Sequence, residues 1–180
     1  MEPNLQTTVA LLARTPSTLE ALLRDLPEQW TRCNEGENSW SAFEIVAHLI
    51  RAEKTNWITR AKWLLEFGET QAFEPFVRQP DEGRINGKSM AQILGEFAWL
   101  RSENLNALRA LNLKPSDLAR RGLHPTLGRV TLGELLATWA AHDLTHLHQL
   151  TRLMAHQYRE TVGPFRKYLG VMQCKGHSEP

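Results

Sequence analysis

Cysteine is scarce in this chain: Cys33 and Cys174 are the only two in 180 residues. They lie far apart and form no Cys-x-x-Cys spacing. That excludes a disulfide framework and a thiolate-rich metal site, so any metal must be held mostly by histidine and carboxylate. An excess of either charge is also missing, with 21 Lys+Arg against 20 Asp+Glu and a net charge of +1. A nucleic-acid surface wants a strong basic excess, so neither nucleic acid nor a membrane surface is an expected partner. No apolar run is long enough to span a bilayer. The opening residues, Met1-Glu2-Pro3-Asn4-Leu5-Gln6, place an acid and no basic cluster ahead of an apolar stretch. They do not read as a signal peptide, and the expected compartment is the cytoplasm, where both cysteines stay free thiols.

Several catalytic signatures are absent as well. Gly122-Leu123-His124-Pro125-Thr126-Leu127-Gly128 lacks the Gly-Lys-Ser/Thr ending of a phosphate-binding loop. There is no Gly-x-Ser-x-Gly nucleophile elbow and no His-Glu-x-x-His zinc-protease motif. Runs of alternating β-branched residues are too short to argue for strands.

What is present is helical punctuation. The 42% hydrophobic content suits a globular chain of ordinary domain size. Ser41-Ala42-Phe43-Glu44 and Thr131-Leu132-Gly133-Glu134 read as capping boxes, each flanked by a staple pair, Trp40/Ile45 and Val130/Leu135. Ser89-Met90-Ala91-Gln92 is a third, and Thr15-Pro16 reads as an N-cap followed by proline. Apolar residues at three- and four-residue spacing then predict four long helices. They run over Asn4–Asp25 with an interruption at Pro16, Ala42–Phe67, Ser89–Leu111 and Leu132–Arg159. A short helix or turn is expected around Phe165–Val171, and another within the linker at Ser116–Arg121. The other linkers are Leu26–Trp40 and Gly68–Lys88. The expectation is an all-α, four-helix bundle with long loops, one domain whose core covers about Leu5 to Val171.

The fourth helix carries the most informative spacing, His142-Asp143-Leu144-Thr145-His146. Residues four apart share a helix face, one turn apart. Leu135, Trp139, His142, His146, Leu150 and Leu153 form one stripe, so both imidazoles point inward. Two buried imidazoles need a partner, and a divalent metal is one. A third ligand must come from a facing helix, and His48 is the best placed, beside Ile45, Leu49 and Ala52. Hydrogen-bonded core histidines are the alternative. Three histidines would leave one position for water or substrate.

The other polar candidates rank lower. Asp143 lies about 100° around the helix from His142, where a supporting or packing role suits it better than ligation. His124 sits on a loop before the fourth helix, as a turn residue or near the bundle mouth. Asp143 and His124 are the candidates for a general base, and Trp139 is a candidate wall of the site. His148 should face solvent or a neighbouring helix, His156 the helix end, and His177 a Gly/Ser/Pro tail. The charged residues along the second and third helices read as solvated faces, and most tryptophans as core or subunit interface.

The segment His124-Pro125-Thr126-Leu127-Gly128-Arg129-Val130-Thr131-Leu132-Gly133-Glu134, continuing to Trp139-Ala140-Ala141-His142-Asp143-Leu144-Thr145-His146, resembles the signature region of the DinB-like superfamily. Trp40-Ser41 with the following His48-Leu49, and Val162-Gly163-Pro164-Phe165-Arg166-Lys167-Tyr168-Leu169, are similar to it too. The likeness runs from about Leu11 to Leu169. It implies a four-helix bundle binding zinc or nickel, with the first ligand at His48 and the later two at His142 and His146. It also implies a homodimer. The superfamily includes transferases and isomerases that use bacillithiol, mycothiol or glutathione; the translesion polymerase that shares its name is unrelated.

The resulting expectation is a metal-dependent transferase that joins a low-molecular-weight thiol to a small electrophilic substrate. The alternatives are a metal-dependent hydrolase of a small molecule and a non-catalytic metal-binding stress protein.

Overall fold

The computed structural model describes residues 4–37, 39–79, 83 and 86–174. Helix α1 spans Leu5–Leu12 and α2 Thr15–Leu23, with α3 a single turn and a half at Glu28–Arg32. Helices α4 (Ala42–Thr55) and α5 (Trp57–Phe67) follow, then α6 (Met90–Ala110). A 3-10 turn at Pro115–Ala119 leads into strands β1 (Arg121–His124) and β2 (Gly128–Thr131). The longest helix, α7, is Leu132–His156, and 3-10 turns at Gly163–Tyr168 and Gly170–Met172 end the described chain. Four helical arms, α1–α2, α4–α5, α6 and α7, make the all-α bundle. α4 packs on α6 and α7, α1 on α7, and α2 on α6.

All three capping boxes form. The Ser41 N–H donates to Glu44 Oε2 at 2.7 Å and the Glu44 N–H returns to Ser41 Oγ at 3.3 Å. Ser89 with Gln92 and Thr131 with Glu134 repeat the exchange. Each satisfies two backbone donors that a helix start leaves over.

Four expectations are corrected. The first arm is interrupted near Pro16 as expected, but α2 starts at Thr15 with Arg14 at the N-cap position, and Pro16 sits in its first turn, where its missing N–H costs nothing. Thr15 is therefore not an N-cap, and its hydroxyl turns inward to donate to Asp143 Oδ2 at 2.6 Å. The second arm is two helices, because Asn56 departs from helical geometry at φ −110°, ψ −76°. Asn56, Trp57 and Ile58 at the break are all buried. The linker Leu26–Trp40 contains α3. The loop before α7 is an antiparallel hairpin, with His124 paired to Gly128 and Arg121 to Thr131.

Strands of four residues are too short for an alternating pattern to emerge from the sequence. The legible signal was Gly128, whose φ of +78° closes the turn. The hairpin rests on α5 at Gly122, where a Cβ would lie 2.9 Å from Leu64 Cγ.

The core divides into two apolar clusters. One gathers Leu19, Ile45, Ile50, Ile93, Phe97 and Leu150. The other gathers Leu12, Trp57, Leu64, Leu105, Leu136 and Trp139. Between them each arm contributes buried polar residues: Thr15, His48 with Glu53, Arg101, and Asp143 with His146. A polar layer thus crosses the bundle where each of the four arms passes from one cluster to the other.

Candidate metal centre

His48 arrives from α4, and His142 and His146 from successive turns of α7. Their Nε2 atoms converge: His48 Nε2 lies 3.0 Å and His146 Nε2 3.2 Å from His142 Nε2. The three donor atoms fall within 4.8 Å of one another. His48 and His146 are buried and His142 is half-buried.

The opposite edges of two rings are hydrogen-bonded outward. His48 Nδ1 donates to the Arg78 carbonyl oxygen at 2.7 Å. His146 Nδ1 donates to Gln149 Oε1 at 2.8 Å. An Nδ1–H held by an oxygen acceptor leaves the Nε2 lone pair facing the shared centre. Lone pairs that face one another with no proton between them repel, and a cation placed among them removes the repulsion. Burial, then the neighbouring His146, pushes the His48 pKa down to about 4. Burial, then the two other histidines, pushes that of His142 down to about 2. Burial also lowers His146, although Gln149 offsets part of the effect. The rings are neutral at physiological pH, the form in which imidazole binds a metal. Donor type, convergence and the tautomers of His48 and His146 fit a divalent cation.

Aromatic rings wall this centre. Trp40 lies 4.9 Å from the His48 ring and is stacked on His146 at 6.2 Å. Trp57 meets His142 edge-on at 5.0 Å, and Phe76 meets His48 at 5.7 Å. Trp139, expected as a wall, is fully buried one layer back. It stacks on Trp57 at 5.9 Å and donates its indole N–H to Glu53 Oε1 at 3.0 Å.

The two expected base candidates have other partners. Asp143 binds Arg101 at two points, Nη1 to Oδ2 at 2.5 Å and Nη2 to Oδ1 at 2.9 Å. Its second oxygen also accepts from Thr15. His124 Nδ1 accepts the Thr126 and Leu127 N–H groups, both at 3.2 Å, the turn role. His148 is half-buried. His156, the last residue of α7, accepts from Arg159 at 2.7 Å. His177 lies outside the described residues.

The reading of α4–α6 charges as solvated faces is corrected at Glu53, Arg60 and Arg101, all buried. Arg101 bridges both buried acids, donating to Glu53 Oε1 at 2.8 Å as well as to Asp143. Burial opposes its charge, but the two carboxylates outweigh burial and hold its pKa above the ordinary value. Asn104 completes Glu53 at 2.9 Å. A signal existed. Phe97, Arg101, Leu105 and Leu108 lie on one apolar stripe, as do Leu49, Glu53 and Trp57, so a charge stands in each.

Comparison with known proteins agrees with this architecture. The sequence profile of the DinB superfamily matches residues 11–150. The chain belongs to the DinB superfamily. The DinB fold is also found in YfiT from Bacillus subtilis, described as "a probable metal-dependent hydrolase with an unusual four-helix bundle topology". It aligns with a TM-score of 0.68 over 87% of this chain and 86% of that one, at 20% identity. A second structure, "TT2238, a four-helix bundle protein", aligns with a TM-score of 0.52 over 83% and 98%, at 18% identity. At such identities both likenesses speak to the DinB fold alone. No curated protein matches the sequence.

Proposed function

We propose that this DinB protein is a metal-dependent enzyme in which His48, His142 and His146 hold one divalent ion, zinc or nickel. The observation that carries the reading is the convergence of three Nε2 atoms, two of them backed by oriented Nδ1–H groups. Three protein donors leave a four-coordinate ion one position short, the arrangement of reactive rather than structural sites. A bound ion of this kind supplies Lewis acidity, which lowers the pKa of a thiol or water reaching it.

The favoured reaction is transfer of a low-molecular-weight thiol to a small electrophile. Trp40, Trp57 and Phe76 give the centre an apolar surround suited to a soft sulfur and an uncharged reacting carbon. Glu53 and Asp143 are held by Arg101, so neither carboxylate is poised to take a proton from water. A thiol needs less help, because it ionises near neutral pH. Hydrolysis of a small molecule is the second reading, favoured by the description of YfiT. The resemblance adds homodimerisation, which sedimentation checks directly.

The test is incubation of zinc- or nickel-loaded protein with a panel of low-molecular-weight thiols and chlorodinitrobenzene. Metal-dependent adduct formation, abolished in His142→Ala, is expected. Metal-dependent ester hydrolysis without adducts would select the second reading. Equal metal content in wild type and His142→Ala would remove the ligand assignment. Stoichiometric metal with neither reaction would leave a metal-binding stress protein.

A further inference from the structure

The loop over the histidine centre is fastened by its backbone. Trp63 Nε1 donates to the Gln71 carbonyl at 3.1 Å and Arg60 Nη2 to that of Glu74 at 2.8 Å. His48 donates to Arg78, as above, and Arg51 Nη1 to the Gln79 carbonyl at 2.7 Å. Two of these fasteners are guanidinium groups spent on neutral carbonyls, so their positive charge is not cancelled by the bond.

Arg60 is the more unusual. It is only 8% exposed, and buried charges are normally paired with an opposite charge. Its contacts among the described residues are the Glu74 carbonyl and the face of Phe73, 5.2 Å from the ring centre. One donor group is used, and a guanidinium has five N–H donors in a planar fork. Its location ties it to the centre. It lies three residues after Trp57, whose ring meets His142, and so on the same face of α5. The carbonyl it holds lies two residues before Phe76, which meets His48. His124 is beside it, edge-on to the same Phe73 ring at 6.2 Å. Burial, then the charge of Arg60, depresses the His124 pKa, in keeping with the closeness of the two side chains at Phe73.

We propose that Arg60 forms an oxyanion subsite beside the histidine centre, and that the molecule acted on there carries a carboxylate or phosphate group. The proposal rests on the metal reading above for what happens at the histidines, but not for the subsite itself. The guanidinium fork matches both oxyanions bidentately. The aromatic walls would take the uncharged part of the molecule between anion and histidines. A substrate of this class binds at two points, its anionic end on Arg60 and its reacting end toward Nε2 of the triad.

Two measurements on the full-length protein test it. Calorimetric titration with succinate and with inorganic phosphate needs no metal and separates the two oxyanions. Binding of at least one is expected, with at least tenfold loss in Arg60→Gln and retention in Arg129→Gln, an exposed surface arginine. In the cobalt-substituted protein, 3-mercaptopropionate should bind at least tenfold tighter than 3-mercaptopropanol by the thiolate charge-transfer band. Arg60→Gln should bind the two alike. Equal binding of acid and alcohol by wild type, or an undiminished preference in Arg60→Gln, overturns the subsite. If wild type fails to take up cobalt while oxyanion binding still depends on Arg60, the metal reading falls and the subsite stands.

Discussion

Arg101 and Asp143 are joined at two points, at 2.5 Å and 2.9 Å, with both side chains almost wholly shielded from water. The same guanidinium reaches Glu53 on α4. The helix that supplies no histidine therefore links the two that supply all three. Replacing Arg101 with Met should leave two carboxylates buried and unpaired. The expected loss is about 3–5 kcal/mol in urea unfolding. Combining Arg101→Met with Glu53→Gln and Asp143→Asn should recover part of it. A single variant as stable as wild type would show that the layer is not what joins the arms.

Gln149 orients His146 from the far side of the ring. Gln149→Ala should keep the fold and weaken zinc binding about 10- to 100-fold, the usual cost of losing such a partner. Competition with a chromophoric chelator measures it. Unchanged affinity would mean the orientation of His146 is set by packing alone.

Acid should unfold the metal-free protein earlier than its carboxylates require. Folded His48 titrates at about 4, against 6.5 for an ordinary histidine, and His142 and His146 shift the same way. As pH falls, the unfolded chain takes up these protons first, and folding weakens. The contribution is intact above about 6.5 and erodes as pH drops towards 4, by roughly 1.4 kcal/mol per pH unit for each of His48 and His142, with His146 acting in the same direction. Urea midpoints between pH 7 and 4.5 check this; a flat profile would refute it. Bound zinc should move the onset to lower pH.

Gly122 is required where β1 crosses α5. A Cβ there meets Leu64 Cγ at 2.9 Å, too near the base of that side chain to be relieved by a rotamer change alone. Gly122→Ala should cost about 1–3 kcal/mol by overpacking. Adding Leu64→Ala should return some of that loss, a coupling that a double-mutant cycle resolves.

How much of this could be read from the sequence depended on the range of the interaction. Caps are local, so Ser41, Ser89 and Thr131 announced their helices within one or two residues. His142 and His146 were visible because one helix turn brings them together. His48 was legible as their companion from its apolar neighbours Ile45, Leu49 and Ala52 on a facing helix, and the DinB resemblance pointed to the same residue. The kink at Asn56 was not visible, since it answers to Trp139 packing on Trp57, more than eighty positions away. The hairpin was missed because four-residue strands owe their pairing to partners such as Ala72 and Leu64 rather than to their own pattern. Arg101 left a trace, a charge in an apolar stripe, but the trace does not say which acids it meets.

The helices hold the loop over the centre by its main chain, at the carbonyls of residues 71, 74, 78 and 79. Every residue type offers the same carbonyl. Apart from Phe73 and Phe76, which pack inward, the side chains on that loop can be exchanged without unfastening it. The frame that holds the three histidines and the surface beside it are thus separately adjustable. A lineage that keeps α4, α5 and α7 unchanged can change what reaches the histidines by rewriting a few exposed positions between Gln71 and Gln79.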